Sequence, residues 1–199
     1  MKKKKRKGRV LIITGILLLA GALGLTLHNM KESNDAKKAS DSVLVQMEKL
    51  IDTDETDEKN QFPVEREMPT IRINGYDYIG YLSVPSLNLT LPVMDTWDYE
   101  RLKIAPCRYS GSLYKRNLVI AGHNYRAHFS PLRSLNPGTK ILFTDAEGHI
   151  YHYHIADLTI LNPIQIEDLI KDSNEWDLTL FTCTIGGQTR HTIRCVLDD

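Results

Sequence analysis

The chain has 199 residues, 42% of them hydrophobic, with 25 basic and 25 acidic side chains. Seven of the basic residues stand in the first nine positions, which leaves 18 basic side chains against 25 acidic ones in the rest. An acidic body argues against nucleic-acid binding, because phosphates require a basic surface. The length allows one domain or at most two, and three cysteines are too few for a disulfide-stapled scaffold.

An uncharged apolar run at residues 10–27 follows the basic cluster at 1–9. As a helix, the run would be about 27 Å long, close to the ~30 Å of hydrocarbon in a bilayer. Because lysine and arginine resist translocation, we expect a single-pass anchor with residues 1–9 in the cytoplasm and the body outside. The alternative is a cleaved signal peptide with a weak site at 20–22. The apolar run continues past that site, which favours the anchor.

Residues 28–69 are predicted to form a polar extracellular stalk. Apolar residues at helical spacing within 43–51 predict a short helix, which either packs on the body or serves as a spacer. The acidic run at 52–58 is interpreted as a solvated charge cluster. It is not a calcium loop, because Asp57 and Pro63 stand where such a loop needs glycine and glutamate.

From about residue 71 the pattern becomes extended, with short apolar segments separated by proline and glycine. Eight strands are predicted, at 78–84, 87–91, 117–121, 140–144, 149–155, 157–161, 178–182 and 191–197. This spacing predicts an all-β fold with a closed or nearly closed antiparallel barrel. Residues 145–148 are typical of a hairpin turn, and short helices are predicted near 129–135 and 166–171.

Cys183 follows the strand at 178–182 and opens into a loop that contains glycine, a position that can present its sulfur at a rim. A lone cysteine is more often a core residue. A nucleophilic thiol needs an imidazole or another cation nearby, because near pH 7 an ordinary thiol is mostly protonated. His123 also stands at a strand end, after Gly122, which allows close backbone approach. It is the best-placed partner among the seven histidines.

Acyl transfer also needs positive charge or N–H donors near the developing oxyanion. Arg190 lies seven residues after Cys183, and a hairpin between them would bring the two together. Arg194 would project to the same face, but about 13 Å further along the strand. Arg190 is therefore the better candidate.

Other polar residues are assigned structural roles. His152 and His154 share a strand face but lack a third ligand at a recognisable spacing, so solvent exposure is favoured over a metal site. His191 is interpreted as a surface residue. Cys107, predicted in a loop, and Cys195, in the last strand, are interpreted as buried thiols, with a disulfide between them as the alternative in an exported protein.

Thr179-Leu180-Phe181-Thr182-Cys183 matches the T-L-x-T-C signature of sortases, the membrane-anchored cysteine transpeptidases of Gram-positive bacteria. His123, about sixty residues earlier, and Arg190, at the start of the last strand, stand where those enzymes carry their histidine and arginine. The similarity covers most of residues 78–197. The chain thus resembles a sortase, and the resemblance implies an eight-stranded sortase-type β-barrel with a catalytic domain at 70–199.

By this resemblance, Cys183 attacks the peptide bond after threonine in a C-terminal sorting motif, and His123 protonates the leaving amine. Arg190 holds the substrate carbonyl or oxyanion, and Thr182 is expected to contact the substrate. The resulting thioester is resolved by an amine of a cell-wall precursor or of a pilin. The expected partners are surface proteins that carry a sorting signal, and neither a cofactor nor a metal is expected.

The class within the family is open, with a mild lean to class B. The chain lacks the Asp-Pro-aromatic lid motif and the second membrane segment of many pilin polymerases. Residues 80–82 and 122–124 resemble class B members, yet the connection at 162–177 is too short for the helical insertion of that class. The segment before the histidine, where some class A members bind calcium, is basic here at Lys103 and Arg108, so no calcium site is expected.

Two rival functions remain. An exported cysteine protease or hydrolase would use Cys183 and His123 with water as the acceptor, and product analysis with an added amine separates it from a transpeptidase. A non-catalytic exported scaffold domain would have an unreactive Cys183.

Overall fold

The computed structural model describes residues 2–51, 66–170, 175–184 and 186–198. The acidic run predicted at 52–58 lies outside these residues. The elements in chain order are α1 (Lys2–Leu50), β1 (Ile71–Ile73), β2 (Tyr76–Val84), β3 (Leu89–Met94), α2 (Tyr99–Leu102), β4 (Cys107–Ser110), β5 (Leu118–Gly122), β6 (Lys140–Asp145), β7 (Ile150–Leu161), α3 (Ile166–Ile170), β8 (Leu178–Cys183) and β9 (Arg190–Leu197). A 3-10 turn at Ser130–Ser134 and α3 confirm the two short helices that the sequence predicts.

The sheet closes on itself into a barrel. Its strand order is β1-β2-β3-β4-β5-β8-β9-β7-β6, and β2 also pairs with β6. Strands β2 to β9 therefore form a closed eight-stranded barrel, to which β1 adds an edge hairpin, and the predicted barrel is confirmed. Closure depends on Gly80, whose φ is +142° and where a Cβ would overlap the Thr144 carbonyl of β6.

The barrel is mixed, so the expectation of a purely antiparallel sheet is wrong. The pairs β3–β4 and β5–β8 are parallel, and the other pairs are antiparallel. Between β5 and β8 the chain passes through β6, β7 and α3, which supplies the long crossover that a parallel pair requires. Parallel pairing puts the carboxyl ends of β5 and β8 at the same rim.

The described residues form nine strands, one more than the sequence predicts, because the edge strand β1 is not among the predicted ones. The barrel has eight strands as predicted, but two of the assignments differ. The segment at Cys107, predicted as a loop, forms the short strand β4. The strands predicted at 149–155 and 157–161 are one strand, β7, with a register shift between Ile155 and Asp157 where it pairs with β9. This bulge reverses the alternation of faces, which makes one strand resemble two in the sequence.

Helix α1 packs on the outside of the barrel with its second half. Val43, Met47 and Ile51 are buried against a cluster on the outer face of the sheet, which includes Ile73, Tyr78, Met94, Ala105 and Cys107. These positions recur every four residues, as positions on one face of a helix do. The predicted short helix at 43–51 is wrong in extent, because this segment is the end of the continuous helix α1. Of the two alternatives for the segment, packing on the body is confirmed.

A separate core fills the barrel, and the two remaining cysteines belong to different cores. Cys195 lies in the inner core with residues such as Leu180 and Ile193, whereas Cys107 lies in the outer cluster under α1. Both thiols are free, so the alternative of a disulfide is wrong. Burial raises the pKa of Cys107 to about 12 and also raises that of Cys195, which keeps both thiols protonated.

The apolar run in the first half of α1 is not covered by the barrel. Its large apolar side chains from Val10 to Leu27 are exposed. Within the part of the chain that the structure describes, Lys7–Leu50 is the one helix long and apolar enough to cross a membrane. The boundaries predicted for tail, anchor, stalk and catalytic domain stay predictions.

Candidate active site

The parallel pairing of β5 with β8 brings the two predicted catalytic residues together. Gly122 is opposite Thr182 in this register, and His123 and Cys183 are the residues that follow on the two strands. Because neighbouring strands lie about 4.8 Å apart, the two residues leave the rim side by side. Cys183 is half-buried and carries a free thiol.

The antiparallel pairing of β8 with β9 adds the predicted arginine. Cys183 is directly opposite Arg190, so the two side chains share one face of the sheet. The connecting turn is closed by Thr184 and Thr189, whose hydroxyls lie 2.8 Å apart, which confirms the predicted hairpin. The Arg190 Nη1 donates two long hydrogen bonds, of 3.3 and 3.4 Å, to the carbonyls of Gly187 and Thr189 in that turn.

Arg194, the alternative arginine, is bound within the fold. It is 7% exposed, and its Nη1 donates to the Thr179 hydroxyl at 2.8 Å and to the Leu169 carbonyl at 3.3 Å. Its Nη2 donates to the Asp168 carbonyl. Burial lowers the pKa of this guanidinium. Arg194 therefore ties α3 to the sheet, while Arg190 stands at the rim.

The His123 ring is stacked on an aromatic neighbour. Its Nδ1 is buried and has no hydrogen-bond partner among the described residues. The ring lies parallel to that of Tyr125, with centroids 3.8 Å apart and planes at 7°. Burial lowers the pKa of His123, while the carboxylate of Glu32 acts to raise it and Lys103 to lower it further. The neutral imidazole, which can accept a proton, is favoured near pH 7.

The loop after His123 is packed against both the barrel and α1. A Cβ on Gly122 would overlap the Phe129 ring, which confirms the predicted close approach at this glycine. His128 is fully buried, and burial lowers its pKa to about 4. Ser40 of α1 lies 3.5 Å from the His128 Nε2 and donates a hydrogen bond to the Ile104 carbonyl at 3.0 Å.

Two of the polar residues considered in the sequence lie on the inner face of this rim. Thr182 is 2% exposed, and its contact with a substrate stays a prediction. His191, predicted at the surface, is half-buried opposite Thr182, and burial together with Arg133 lowers its pKa. The Thr182 Oγ1, the His191 Nε2 and the Asn124 Oδ1 are buried without a hydrogen-bond partner in the described parts of the chain.

The barrel and this rim agree with comparisons to known proteins. A family model of the sortase domain matches residues 82–198. The chain belongs to the sortase family. Sortase A of Bacillus anthracis is 30% identical over 122 residues, which are 59% of this chain and 57% of that relative. The chain thus spans little more than half the length of this curated relative.

Solved structures resemble this sortase in fold. The Sortase D5 transpeptidase of Clostridium perfringens superposes with a TM-score of 0.60 at 18% identity, over 83% of this chain and 99% of that one. Sortase A of Corynebacterium diphtheriae gives a TM-score of 0.56 at 18% identity, over 90% and 96%. At such identities the likeness extends to the fold alone. These relatives carry the class names A and D5, and the lean to class B stays a prediction.

The sequence did not reveal an aromatic strip on the outer face of the sortase barrel. Phe181, two residues before Cys183 and on the same face, contacts Tyr109 of β4 edge-on at 5.3 Å. Tyr109 in turn lies 5.1 Å from the ring of Trp97. All three rings are half-buried. Alternation along β8 could have indicated Phe181, but Tyr109 required knowledge that its segment is a strand.

A polar cluster at the β6–β7 hairpin of the sortase lies far from this rim. Asp145, Glu147 and His149 hold ligand atoms within 4.8 Å of one another. The fully buried Asp145 accepts hydrogen bonds from the backbone N–H groups of Glu147 and His149, at 2.9 and 3.0 Å. These bonds close the hairpin, which is a sufficient role for the carboxylate. The expectation that the protein binds no metal stays a prediction.

Proposed function

We propose that this sortase is a cysteine transpeptidase that acts on the outer face of the cell membrane. The observation that carries the proposal is the strand register at one rim, where Cys183 has Arg190 directly opposite and His123 at the end of the neighbouring strand. A nucleophile, an acid–base group and a cation that could hold an oxyanion thereby stand on three adjacent strands.

The steps follow from the chemistry of these three groups. The Cys183 thiol gives its proton to the neutral His123, and the sulfur attacks the carbonyl carbon of the scissile peptide bond. Arg190 donates hydrogen bonds to the oxyanion as it forms. When the C–N bond breaks, His123 returns the proton to the leaving amine, and a thioester remains on Cys183.

The second half of the reaction mirrors the first. An acceptor amine attacks the thioester carbonyl and gives a proton to His123. The tetrahedral intermediate collapses to a new amide, and the sulfur leaves and recovers its proton as the free Cys183 thiol. Water in place of the amine would give hydrolysis, so the acceptor decides whether the enzyme is a transpeptidase.

The substrate class is a surface protein with a C-terminal sorting motif whose bond after threonine is cut. The strip formed by Phe181, Tyr109 and Trp97 supports this assignment, because it continues the Cys183 face with half-exposed rings that an extended apolar segment could cover. The acceptor is an amine of a cell-wall precursor or of a pilin. Thr182 is the weakest of the predicted site residues, since its side chain faces the barrel interior.

The membrane topology belongs to the same proposal. The basic cluster at 1–9 stays in the cytoplasm, residues 10–27 span the bilayer, and the catalytic domain from residue 70 stands outside. This orientation would put the active site where exported substrates and cell-wall amines meet. The exposed apolar first half of α1 supports an anchor.

The test uses the full chain in detergent micelles, mixed with peptides of the Leu-Pro-x-Thr-Gly and Asn-Pro-x-Thr-Asn types and analysed by mass spectrometry. We expect an acyl adduct on Cys183 that moves to an added amine. Cys183→Ala should abolish adduct and transfer while leaving the thermal unfolding temperature unchanged, and Cys107→Ala serves as the matched cysteine control. Hydrolysis without transfer to any amine would favour the hydrolase. No adduct together with a Cys183 inert to alkylation would favour the scaffold.

A further inference from the structure

Among the described residues, none hydrogen-bonds the His123 Nδ1 as the third group of a catalytic triad would. In a Cys-His or Ser-His pair, a hydrogen bond to the second ring nitrogen selects the tautomer and holds the ring. Here the Nδ1 is buried with no hydrogen-bond partner in the described segments. Whatever orients this ring must therefore act through another kind of contact.

Tyr125 supplies that contact. Its ring is nearly parallel to the imidazole at a centroid distance of 3.8 Å, which leaves the imidazole little freedom to tilt. An aromatic face is also a favourable neighbour for the imidazolium that forms during the reaction. Tyr125 is itself 9% exposed, so it is held in its place by the surrounding chain.

The tyrosine is tied to the helix that leaves the membrane. The Tyr125 hydroxyl points at the Glu32 Oε2 at 3.4 Å, a long hydrogen bond. Burial and Glu32 raise the pKa of Tyr125, so the phenol stays protonated and can donate. Glu32 lies five residues after the apolar run, and its Oε1 is 3.5 Å from the His28 Nε2 on the preceding turn of α1.

The packing of α1 determines where this carboxylate stands. Two turns after Glu32, the hydroxyl of Ser40 is 1% exposed and donates to the Ile104 carbonyl. Beyond it, Val43 and Met47 are buried in the outer cluster. Because the helix is anchored at these positions, the position of Glu32 relative to the loop after His123 is fixed.

We propose that Tyr125 and Glu32 are positioning residues for His123, so that the juxtamembrane helix α1 takes part in arranging the active site. The proposal rests on the proposed function for its catalytic consequence, but the contacts themselves can be tested without activity. Tyr125 orients the ring by stacking, and Glu32 holds Tyr125 and adds a negative charge.

The charged and titratable groups that face His123 come from every element around it. Glu32 lies on α1, Lys103 follows α2, Tyr125 and His128 belong to its own loop, and the rim adds Cys183 and Arg190. Among those that act on its pKa, Glu32 favours the protonated ring, and Lys103 opposes it. Removal of the Glu32 charge should therefore lower the pKa of His123, and its limb of the pH–rate profile should move to lower pH.

The first experiment is a histidine-selective NMR titration of the full chain in micelles. Glu32→Gln should move the His123 titration to lower pH, and Tyr125→Leu should change the chemical shifts of that ring. Glu48→Gln, exposed near the far end of the same helix, is the matched control and should change neither. If Glu32→Gln leaves the His123 titration where it is in the wild type, the proposal is overturned.

The second experiment separates positioning from packing by kinetics. Tyr125→Leu should lower kcat by about 10-fold, a fraction of what general acid–base catalysis contributes, with little change in KM. Tyr125→Phe keeps the stacked ring and should recover most of kcat. Its pH–rate profile should nevertheless shift to lower pH, as that of Glu32→Gln does. The double variant Glu32→Ala/Tyr125→Phe should lose no more than the larger of the two single effects, because each of these changes removes the same Tyr125–Glu32 hydrogen bond.

The two proposals fail in different ways. If the wild type transfers no peptide to any amine, the proposed function fails, while the NMR titration still decides whether Glu32 and Tyr125 act on His123. If transfer occurs but Tyr125→Leu lowers only the thermal unfolding temperature, with kcat and the pH profile of the folded protein unchanged, Tyr125 is a packing residue and the inference is wrong.

Discussion

Buried polar atoms are treated in opposite ways at the two ends of β7. At the hairpin before this strand, Asp145 is fully buried and its oxygens accept hydrogen bonds from Glu147 and His149. At the rim where β7 ends beside Arg190, buried atoms of His123 and of its neighbours have no hydrogen-bond partner within the described residues.

This difference separates a polar cluster that holds the fold from one that is available for chemistry. A buried polar group without a partner costs free energy, so an unpaired set at one rim indicates a place where substrate or water completes the bonding. The carboxylate of Asp145, which already accepts several hydrogen bonds, is not free to bind a substrate in this way. Each prediction below changes one side of this contrast, beginning with the largest expected effect.

The two arginines of β9 give the sharpest test. Arg190→Ala should lower kcat/KM by about 100-fold, the usual cost of one oxyanion donor, with an unchanged unfolding temperature. Arg194→Ala should destabilise the fold by about 3 kcal/mol, because it leaves Thr179 and two carbonyls unpaired. Activity must be normalised to the folded fraction. A larger loss of normalised activity for Arg194→Ala would reverse the assignment.

At acidic pH, protonation of His128 should weaken the packing of α1 against the active-site loop. Its pKa is about 4 when folded, below the ordinary value of 6.5, so the unfolded chain binds the extra proton between these values. The contribution of His128 to the free energy of unfolding is fully present above pH 6.5. It declines by about 3 kcal/mol as the pH falls to 4. His123 and His191 act in the same direction. Chemical denaturation of His128→Gln across this range should give a flatter profile than the wild type.

Asp145→Asn should destabilise the protein by about 2 kcal/mol, because the amide can replace only some of the bonds that the buried carboxylate accepts. Asp77, which forms an exposed ion pair with Arg72, is the matched control, and Asp77→Asn should cost less than about 1 kcal/mol. Denaturant titration measures both. If both substitutions lowered the free energy of unfolding equally, the Asp145 cluster would not stabilise the hairpin. A loss of normalised activity in Asp145→Asn would show that this cluster influences the active-site rim.

The smallest effect is expected at Thr182. Thr182→Val removes an unpaired hydroxyl and should change the stability by less than about 0.5 kcal/mol. Thr179→Val, three residues earlier on the same strand, removes the hydroxyl that accepts from Arg194 and should cost about 1 kcal/mol or more. If Thr182→Val instead abolished the activity of the folded protein, the hydroxyl would contact substrate, as the sequence predicts.

Much of the candidate site could be predicted because its signals are local. A cysteine that ends a strand, a histidine after a glycine at another strand end, and an arginine across a hairpin depend only on alternation and turn residues. The same holds for the apolar anchor helix and for the turn at 145–148. Such signals made Cys183, His123 and Arg190 candidates, and the resemblance to sortases selected them. The barrel brings the three residues to one rim.

The sequence by itself determined most of the strands and which side chains stand at their ends, because these features are encoded within a few residues. Only the tertiary structure decided that β5 and β8 are parallel, that His191 and Thr182 face inward, and that Glu32 and Tyr125 meet beside His123. Strand partners, the choice of the inner face and the docking of a helix depend on contacts between residues far apart in the chain. Alternation defines two faces of a strand, but packing decides which of them is buried.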